Sequence, residues 1–376
     1  MKANTTLSNL HWCANCLTMS TRPRITFDAR GWCNACVWTE KKKSLDWAAR
    51  HAELIKLLDK HRRTDGEFDC MVPCSGGKDG SYVAYNLKHK YGMNPLCVTI
   101  TPALTLSLGD QNLRAFVESG YNHISVNPDH EAMRVLNKTG FIEMGFPYYG
   151  WLISIHTAVI RTATAFGINL IFYGEDGEVE YGGSTETSKD PIYDVHYQKK
   201  IYLEGGYEKV LASSGLSASQ LNLFRYPGDE ELNKHAIELT HWSYFEDWDP
   251  YRNYLIAKEH CGLKEAEDSN AGTFTNFSQN DQALYALHTY LMYLKFGFGR
   301  ANQDACIEVR RGAMDRDQAV NLVRLYDGHY PEEFIQMYLD YYQMTKSEFD
   351  AVIDRYANKN LFEKVDGHWQ PLFIVA

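Results

Sequence analysis

The stretch Val72-Pro-Cys-Ser-Gly-Gly-Lys-Asp-Gly-Ser81 decides the fold of this 376-residue chain. It continues an apolar run, Phe68–Pro73, that has the length of a strand, and it leads into a helical pattern over Asp79–Tyr91. A glycine-rich turn at this place lets the backbone pass close to a phosphate group. The helix N-terminus then aims free N–H groups at that anion. The stretch therefore predicts a phosphate-binding loop between a strand and a helix.

The charged residues of this loop have separate expected roles. Lys78 adds a positive charge, and Asp79 can hold Mg²⁺ or cap the helix. The loop is not a Walker A motif, because that motif needs Gly at position 72 and Ser or Thr at position 79. An ordinary glycine-rich turn is the alternative interpretation. The expected phosphate ligands, which the resemblance described next assigns to ATP, are Ser75, Gly76, Gly77, Lys78, Asp79, Gly80 and Ser81.

The string Ser75–Asp79 resembles the pyrophosphate loop of the PP-loop ATP pyrophosphatases, usually written SGGxDS. Enzymes with that loop cleave ATP between the α and β phosphates, transfer AMP to a carbonyl oxygen and release pyrophosphate. The chain departs from the pattern at one place. Gly80 stands where the short motif usually has Ser, and Ser81 follows one position later. A hydroxyl contact to phosphate is therefore lost or shifted.

Strand and helix patterns alternate along the chain after the loop. Such alternation indicates an α/β fold with a parallel sheet that helices cover on both faces. The expected core is that of a PP-loop ATPase. The further strands are predicted at Leu96–Thr101, His123–Val126 and Asn169–Tyr173, and the helices at Asp110–Ser119, His130–Thr139 and Trp151–Phe166.

The composition divides the chain into three predicted parts. Residues 1–43 form a small module without apolar periodicity, residues 44–250 form the α/β core, and residues 251–376 form a helical region. Ser44 is the expected N-cap of the first core helix. The C-terminal helices are predicted at Tyr251–Cys261, Gln282–Phe296, Arg316–Tyr326, Glu332–Tyr342 and Lys346–Ala357.

Two Cys-x-x-Cys pairs, Cys13 with Cys16 and Cys33 with Cys36, lie in the first part with sixteen residues between them. This spacing is typical of a zinc site. Four thiolates fill a tetrahedral shell and leave no open position, so the expected role is structural. Free or redox-active cysteines and an iron site are the alternatives. The other cysteines show no ligand spacing and are expected in the core: Cys70, Cys74, Cys97, Cys261 and Cys306.

A run of acids follows the predicted strand that ends at Tyr173. Open α/β sheets bind ligands at the carboxyl ends of their strands, so these carboxylates are placed to share Mg²⁺ or to steer an amine nucleophile. A solvated acidic loop is the alternative. The acids are Glu175, Asp176, Glu178 and Glu180.

The net charge argues against nucleic acid as a ligand. The chain has 48 acidic and 38 basic residues, a formal charge of −10, whereas a hold on DNA or RNA needs clustered Lys and Arg. A small anionic substrate needs only a local basic pocket. The longest apolar stretch, residues 151–172, contains His156 and Arg161, and the N-terminus lacks a signal-peptide profile. We expect a cytoplasmic protein without a membrane span.

Longer strings resemble the N-acetyl sugar amidotransferases of bacterial surface-polysaccharide synthesis, the WbpG/PseA/LegX group. The resemblance covers essentially the whole chain, including both Cys-x-x-Cys pairs and the Gly80 variant of the loop. It is strongest in the third part. The strings are 73–82, 181–183, 244–246, 248–251, Gly272-Thr-Phe-Thr-Asn-Phe277, 291–300, 304–308, Arg310-Arg-Gly-Ala-Met314 and 325–331.

The resemblance implies an ATP-dependent amidotransferase that converts the N-acetyl group of a UDP-linked sugar into an acetamidino group, in lipopolysaccharide, O-antigen or nonulosonic acid synthesis. The implied cofactors are ATP, Mg²⁺ and structural zinc. The implied partners are a glutaminase and a cyclase-like subunit, which supply ammonia. Lys78 and Asp79 would be catalytic, with Glu175 and Glu180 assisting the metal or the ammonia.

Four basic residues of the third part are expected to take the diphosphate or carboxylate of the sugar nucleotide: Lys295, Arg300, Arg310 and Arg311. Charge on helix surfaces is the alternative interpretation. Two other functions stay open. One is a PP-loop enzyme that thiolates tRNA, and the other is a zinc-bearing scaffold without ATP turnover.

Overall fold

The computed structural model describes residues 7–174, 177–203 and 206–376. A six-stranded sheet lies at its centre, in the order β3-β2-β1-β4-β6-β5. Its strands are parallel except for β5, which pairs antiparallel with β6. The predicted α/β class with a mostly parallel sheet is confirmed. The strands are β1 (Cys70–Pro73), β2 (Pro95–Ile100), β3 (Asn122–Val126), β4 (Leu170–Tyr173), β5 (Ile192–Tyr193), β6 (Glu238–His241), β7 (Phe362–Val365) and β8 (His368–Pro371), the last two forming a separate hairpin.

Helices make up much of the remaining chain. Each helix predicted after the loop is present, whereas α13 and the strand β6 were not predicted. The helices are α1 (Asn34–Lys42), α2 (Trp47–His61), α3 (Lys78–Tyr85), α4 (Ser107–Glu118), α5 (His130–Met144), α6 (Tyr149–Ala165), α7 (Gly177–Glu180), α8 (Val195–Tyr197), α9 (Tyr207–Ser213), α10 (Asp229–His235), α11 (Pro250–Cys261), α12 (Leu284–Phe296), α13 (Arg300–Arg310), α14 (Arg316–Tyr326), α15 (Ile335–Tyr342) and α16 (Lys346–Tyr356).

The strand β1 is buried on both faces of the sheet, as a central parallel strand requires. Met71 packs with the buried residues of α5 and α6. Cys70 and Val72 point the other way and pack with the buried residues of α2, α3 and α4. Helices therefore cover both faces of the sheet, as predicted. None of the helices in the described residues has the length and apolarity needed to cross a membrane.

The prediction that Ser44 caps the first core helix is wrong. Asp46 is the N-cap of α2, and its carboxylate accepts a hydrogen bond from the Ala49 amide at 2.9 Å. The Ser44 hydroxyl donates instead to the Lys41 carbonyl at 2.8 Å. Ser44 belongs to the turn that ends α1, because that helix continues to Lys42 and has Lys43 as its C-cap.

The module with the paired cysteines shares its core with the C-terminal helices. Leu17 and the four cysteines pack against Ala305 and Cys306 of α13 and against Val320 and Val323 of α14. The Asn302 side chain also donates to the Leu17 carbonyl at 3.1 Å. The five cysteines expected in the core are all buried. The first 43 residues therefore depend on the third part of the chain for their packing.

Candidate functional site

The strand order opens a crevice between β1 and β4. From β1 the chain moves outward through β2 to β3, and then it returns to β4 on the other side of β1. Ligands of open α/β sheets bind at such a reversal, at the carboxyl ends of the strands. Gly174 follows β4, and a Cβ on it would lie 3.1 Å from the Cβ of Asp79. The loops after β1 and β4 therefore meet at this crevice.

The glycine-rich loop after β1 packs its backbone directly against that of α4. Gly76 has a φ of +79°, and a Cβ there would lie 2.6 Å from the backbone of Leu113 on α4. The next residue, Gly77, is the N-cap of α3 and has no side chain to cap it. The first amides of α3 are therefore left without a capping side chain, which suits them to an anion. This arrangement fits a phosphate group.

Close packing explains why the chain has Gly80 where the short motif usually has Ser. A Cβ on Gly80 would lie 2.8 Å from the Pro73 carbonyl oxygen and 2.9 Å from the Cys74 Cα. No side chain fits between α3 and the end of β1 at this place. Ser81 is fully buried, and its hydroxyl lies 3.8 Å from the Cys74 sulfur. Ser81 therefore supports the loop from the protein side, and its predicted contact with phosphate stays a prediction.

Asp79 is held by its neighbours and remains partly exposed. The Lys78 ammonium donates to its carboxylate, and the Asn253 amide donates to Oδ1 of the same carboxylate at 3.2 Å. Asn253 lies on α11 and is fully buried, yet its Oδ1 has no hydrogen-bond partner among the described residues. Carboxylate and amide oxygens are the ligands that Mg²⁺ prefers. Asp79 and Asn253 therefore fit a magnesium ion at the phosphate loop.

Asn253 was missed in the sequence. It lies two residues beyond the string that ends at Tyr251, and only the packing of α11 against α3 brings it to Asp79. A polar residue at a helix position that faces the core is the one local signal for it. A buried polar position does not indicate which residue it contacts, so the pairing of Asn253 with Asp79 could not be predicted before the fold was known.

The four predicted zinc ligands come together, and all are buried. Their sulfur atoms lie within 4.8 Å of one another. Cys13 and Cys36 are 3.7 Å apart, and Cys33 is 3.6 Å from both Cys16 and Cys36. A tetrahedron with Zn–S bonds of about 2.3 Å has edges of about 3.8 Å. The cluster therefore has the size of a tetrahedral zinc site.

Nitrogen donors surround the cluster, as negative thiolates require. The Cys33 amide donates to Cys13 at 3.1 Å, and the Arg310 guanidinium donates to Cys16 at 3.5 Å. Burial alone would lower the pKa of Arg310, but the neighbouring Cys16 and Cys306 sulfurs outweigh burial and raise it. Arg310 therefore stays charged and balances part of the charge of the cluster.

The described acids after β4 connect this segment to the cysteine module. The Glu178 carboxylate accepts from Arg24 at 2.6 Å. The Glu180 carboxylate accepts from the Trp38 indole at 2.9 Å and from the Lys42 ammonium at 3.0 Å. Catalysis by Glu180 stays a prediction, and its carboxylate has these two donors in the structure. Glu175 and Asp176 lie outside the described residues.

The four predicted basic residues do not form one cluster. The Lys295 ammonium donates to the Met144 and Gly145 carbonyls at the end of α5, at 2.8 and 3.0 Å. Arg300 lies 2.8 Å from the Asp304 carboxylate on its own helix. Arg310 and Arg311 lie together at the end of α13, where both line a cavity. Arg310 and Arg311 are thus placed to share a substrate contact, and substrate binding by Lys295 and Arg300 stays a prediction.

The cavity has a volume of about 230 Å³, and Trp248 is one of its lining residues. A Cβ on Gly174 would lie 3.6 Å from the Trp248 ring and 3.1 Å from the Asp79 Cβ, so Trp248 is close to the phosphate loop. The lining includes both basic and acidic groups. The lining residues are Thr39, Lys42, Lys43, Glu180, Tyr181, Asp247, Trp248, Asp249, Pro250, Ile307, Arg310 and Arg311.

Comparison with known proteins identifies the C-terminal region. Residues 271–373 match the family described as LPS biosynthesis protein WbpG-like, C-terminal domain. The predicted resemblance to the WbpG group is confirmed by this match, which spans about a quarter of the chain. The chain therefore carries a WbpG-like C-terminal domain.

Two further similarities involve proteins of Methanocaldococcus jannaschii. The uncharacterized protein MJ1599 is 29% identical over 89 residues, which are 23% of this chain and 32% of that protein. The match thus spans about a third of the length of this curated relative. A crystal structure of a predicted subunit of tRNA methyltransferase covers 59% of this chain and 86% of its own, at 14% identity and a TM-score of 0.27. Nothing about this chain follows from a likeness at that TM-score.

Replacement of Gly80 by Ser, which restores the usual motif, is expected to destabilise the protein by about 1–3 kcal/mol, because the new side chain overpacks the contact between α3 and β1. The midpoint of urea unfolding measures the change. Gly228→Ala is the control, since Gly228 has open space around it and a φ of −64°. Equal midpoints for the wild type and Gly80→Ser would contradict the packing described here.

Cys16→Ser is expected to lose most of the zinc that the purified wild-type protein carries, because a serine hydroxyl is a poor replacement for a thiolate ligand. Elemental analysis after gel filtration measures zinc per chain. Cys306→Ser is a matched control, since Cys306 is buried beside Cys16 but lies outside the cluster. Full zinc content in Cys16→Ser would show that the cluster is not the metal site.

Proposed function

We propose that this protein is an ATP-dependent, AMP-forming amidotransferase that converts the N-acetyl group of a nucleotide-activated sugar into an acetamidino group. The observation that carries the proposal is the uncapped start of α3 beside the Asp79–Asn253 pair, at the reversal of strand order. The WbpG-like C-terminal domain supports a role in the synthesis of a bacterial surface polysaccharide.

An acetamide needs activation before it can react with ammonia. Its carbonyl is a poor electrophile, and its oxygen is a poor leaving group. Attack of the amide oxygen on the α phosphorus of ATP forms an adenylated imidate and releases pyrophosphate. Ammonia then adds to the imidate carbon, AMP leaves with the former amide oxygen, and an amidine remains. Phosphate binding and charge stabilisation are therefore what the protein has to supply.

The residues of the loop match these needs. The first amides of α3 and the Lys78 ammonium would hold the β and γ phosphates and offset the charge that develops on pyrophosphate. Asp79 and Asn253 would hold Mg²⁺, which neutralises phosphate charge when it is bound. The Asn253 amide fixes the Asp79 carboxylate at 3.2 Å, so that carboxylate is oriented before the nucleotide arrives.

Water competes with ammonia for the imidate, so the reaction needs a sheltered site. The cavity beside Trp248 is lined by α1, residues 247–250 and the end of α13, and Trp248 is close to Asp79 of the phosphate loop. We propose that ammonia comes from a separate glutaminase through a cyclase-like subunit, as in the amidotransferases that the sequence resembles. In that case the two partners would dock where they can deliver ammonia to this crevice.

Asp79→Asn should reduce substrate-dependent exchange of pyrophosphate into ATP by at least about 100-fold, because the magnesium carboxylate is lost. The exchange is measured with a panel of UDP-linked N-acetylated sugars, and mass spectrometry follows the replacement of oxygen by NH. Asp59→Asn, an exposed position at the end of α2, is the matched control. Wild-type protein with zinc bound and no exchange with any sugar would overturn the proposed function.

Asn253→Ala should raise the Mg²⁺ concentration for half-maximal exchange by about tenfold. The variant loses both a candidate ligand oxygen and the amide that orients Asp79, and loss of an orienting group alone changes metal affinity by about 10–100-fold. The rate at saturating Mg²⁺ should fall less than it does for Asp79→Asn. A titration of the exchange rate with Mg²⁺ measures both quantities. An unchanged Mg²⁺ requirement would exclude a role for Asn253 at the metal.

A further inference from the structure

The proposed function does not by itself say which part of the substrate binds in the cavity beside Trp248. We propose that this acceptor cavity, the space of about 230 Å³ lined by α1, residues 247–250 and the end of α13, binds the sugar ring of the substrate. We propose further that the four-cysteine cluster holds its wall in place. The proposal rests on the proposed function, since it names the site of the sugar in that reaction.

The position of the cavity suits an acceptor that reacts with the α phosphate. Trp248 lines the cavity, and its indole and the Asp79 Cβ would lie 3.6 and 3.1 Å from a Cβ on Gly174, so Trp248 is close to Asp79. Trp248 is therefore a neighbour of both the cavity and the phosphate loop. A sugar ring in the cavity would have its N-acetyl group on the side toward a nucleotide at Asp79.

The lining favours a hydroxyl-rich ring over a bare anion. Lys42 pairs with Glu180 at 3.0 Å and with Asp247 at 2.8 Å, and Arg311 lies 3.3 Å from Asp249. These pairs present fixed donors and acceptors side by side, which is what a sugar hydroxyl needs, since it donates and accepts at once. Inorganic phosphate would instead face three carboxylates.

Lys43 is placed for the charged part of the substrate. It lines the cavity, is exposed, and makes no ion pair with any described residue. The cavity is smaller than the about 300–1,000 Å³ of most small-molecule sites. It has room for one ring, so the nucleotide diphosphate or a ring carboxylate must lie outside the ring position. Lys43 is the cation available to pair with that charge.

Two residues that line the cavity, Lys42 and Arg310, are connected to the cysteine cluster. The helix α1 starts next to Cys33, carries Cys36, and ends at Lys42, whose ammonium lies in the cavity wall. Arg310 donates to the Cys16 sulfur at 3.5 Å with one nitrogen and to the Glu180 carbonyl at 3.4 Å with the other. The two sides of the cavity formed by α1 and by the end of α13 are therefore connected to the cysteine cluster. By contrast, α3 and its loop make no hydrogen bond to the cluster within the described chain.

Equilibrium binding of sugar nucleotides without turnover tests the acceptor cavity. The probes are UDP-linked mono- and di-N-acetylated hexoses and hexuronic acids, with UDP alone as the reference, measured by calorimetry on the full chain. Lys43→Met should weaken binding of the best probe about tenfold. Lys41→Met is the matched control, because Lys41 is exposed two residues earlier, in the last turn of α1, but does not line the cavity. Ile307→Trp, which fills the cavity, should abolish the part of the affinity that exceeds that of UDP.

The outcomes distinguish a failure of the acceptor cavity from a failure of the proposed amidotransferase reaction. Sugar-dependent binding that is lost in Lys43→Met and Ile307→Trp, without any pyrophosphate exchange in the wild type, would support the cavity and overturn the amidotransferase. Exchange and sugar binding that both variants retain at wild-type level would overturn the cavity. So would a panel in which no sugar binds better than UDP.

Metal removal tests the role of the cluster. Protein stripped of zinc by a chelator should lose sugar binding while it still binds a non-hydrolysable ATP analogue, and added zinc should restore sugar binding. Unchanged sugar binding after zinc removal would overturn the proposed coupling. Loss of both ligands together would overturn it as well, because the metal would then stabilise the whole protein rather than the cavity wall.

Discussion

The absence of side chains at Gly76 and Gly80 is the constraint on which the site depends. At Gly76 the backbone of α4 comes so close that a Cβ would lie 2.6 Å from Leu113, and at Gly80 the helix α3 rests on the end of β1. These contacts hold the loop and the start of α3 close against α4 and the end of β1. The first amides of α3 then face the crevice, and Asp79 comes within reach of Asn253. Interior packing is dense, so neither contact can relax around an added methyl group without cost.

Glu180 connects the cysteine module to the α/β core. Its carboxylate accepts from Trp38 and Lys42 of α1, and its carbonyl accepts from Arg310 of α13. Burial lowers the pKa of Lys42, but Glu180 and Asp247 outweigh burial and raise it, so the ammonium stays charged. A buried ion pair of this kind adds little to stability but is strongly unfavourable to break. It therefore fixes the geometry between α1 and the segment after β4 rather than contributing binding energy of its own.

Features that depend on neighbouring residues could be predicted from the sequence. The strand–loop–helix unit, the alternation of strands and helices, and the four cysteine ligands each follow from short-range spacing. The hairpin of β7 and β8 has such a signal too, since Asp366-Gly367 form its two-residue turn with positive φ at both positions. No short-range signal predicts the pairing of Asn253 with Asp79. The same is true of the separation of the predicted basic residues, which lie at the end of α12, the start of α13 and the end of α13. They depend on how α11, α12 and α13 pack, and helix packing is decided by contacts between segments far apart in the chain.

The charge of −10 describes the protein as a whole and not its crevice. Lys42, Lys43, Arg310 and Arg311 surround the acceptor cavity, and Lys78 lies at the phosphate loop. Lys42 and Arg311 form ion pairs with carboxylates of the lining, and Arg310 donates to the Cys16 sulfur and the Glu180 carbonyl. Lys43 makes no ion pair with any residue that the structure describes. Attraction at long range falls off within about 10 Å at ordinary salt, so the outer acids do not repel a ligand that is already inside the crevice. Recognition of an anionic substrate thus depends on a few fixed cations, and a strongly acidic protein can still bind it.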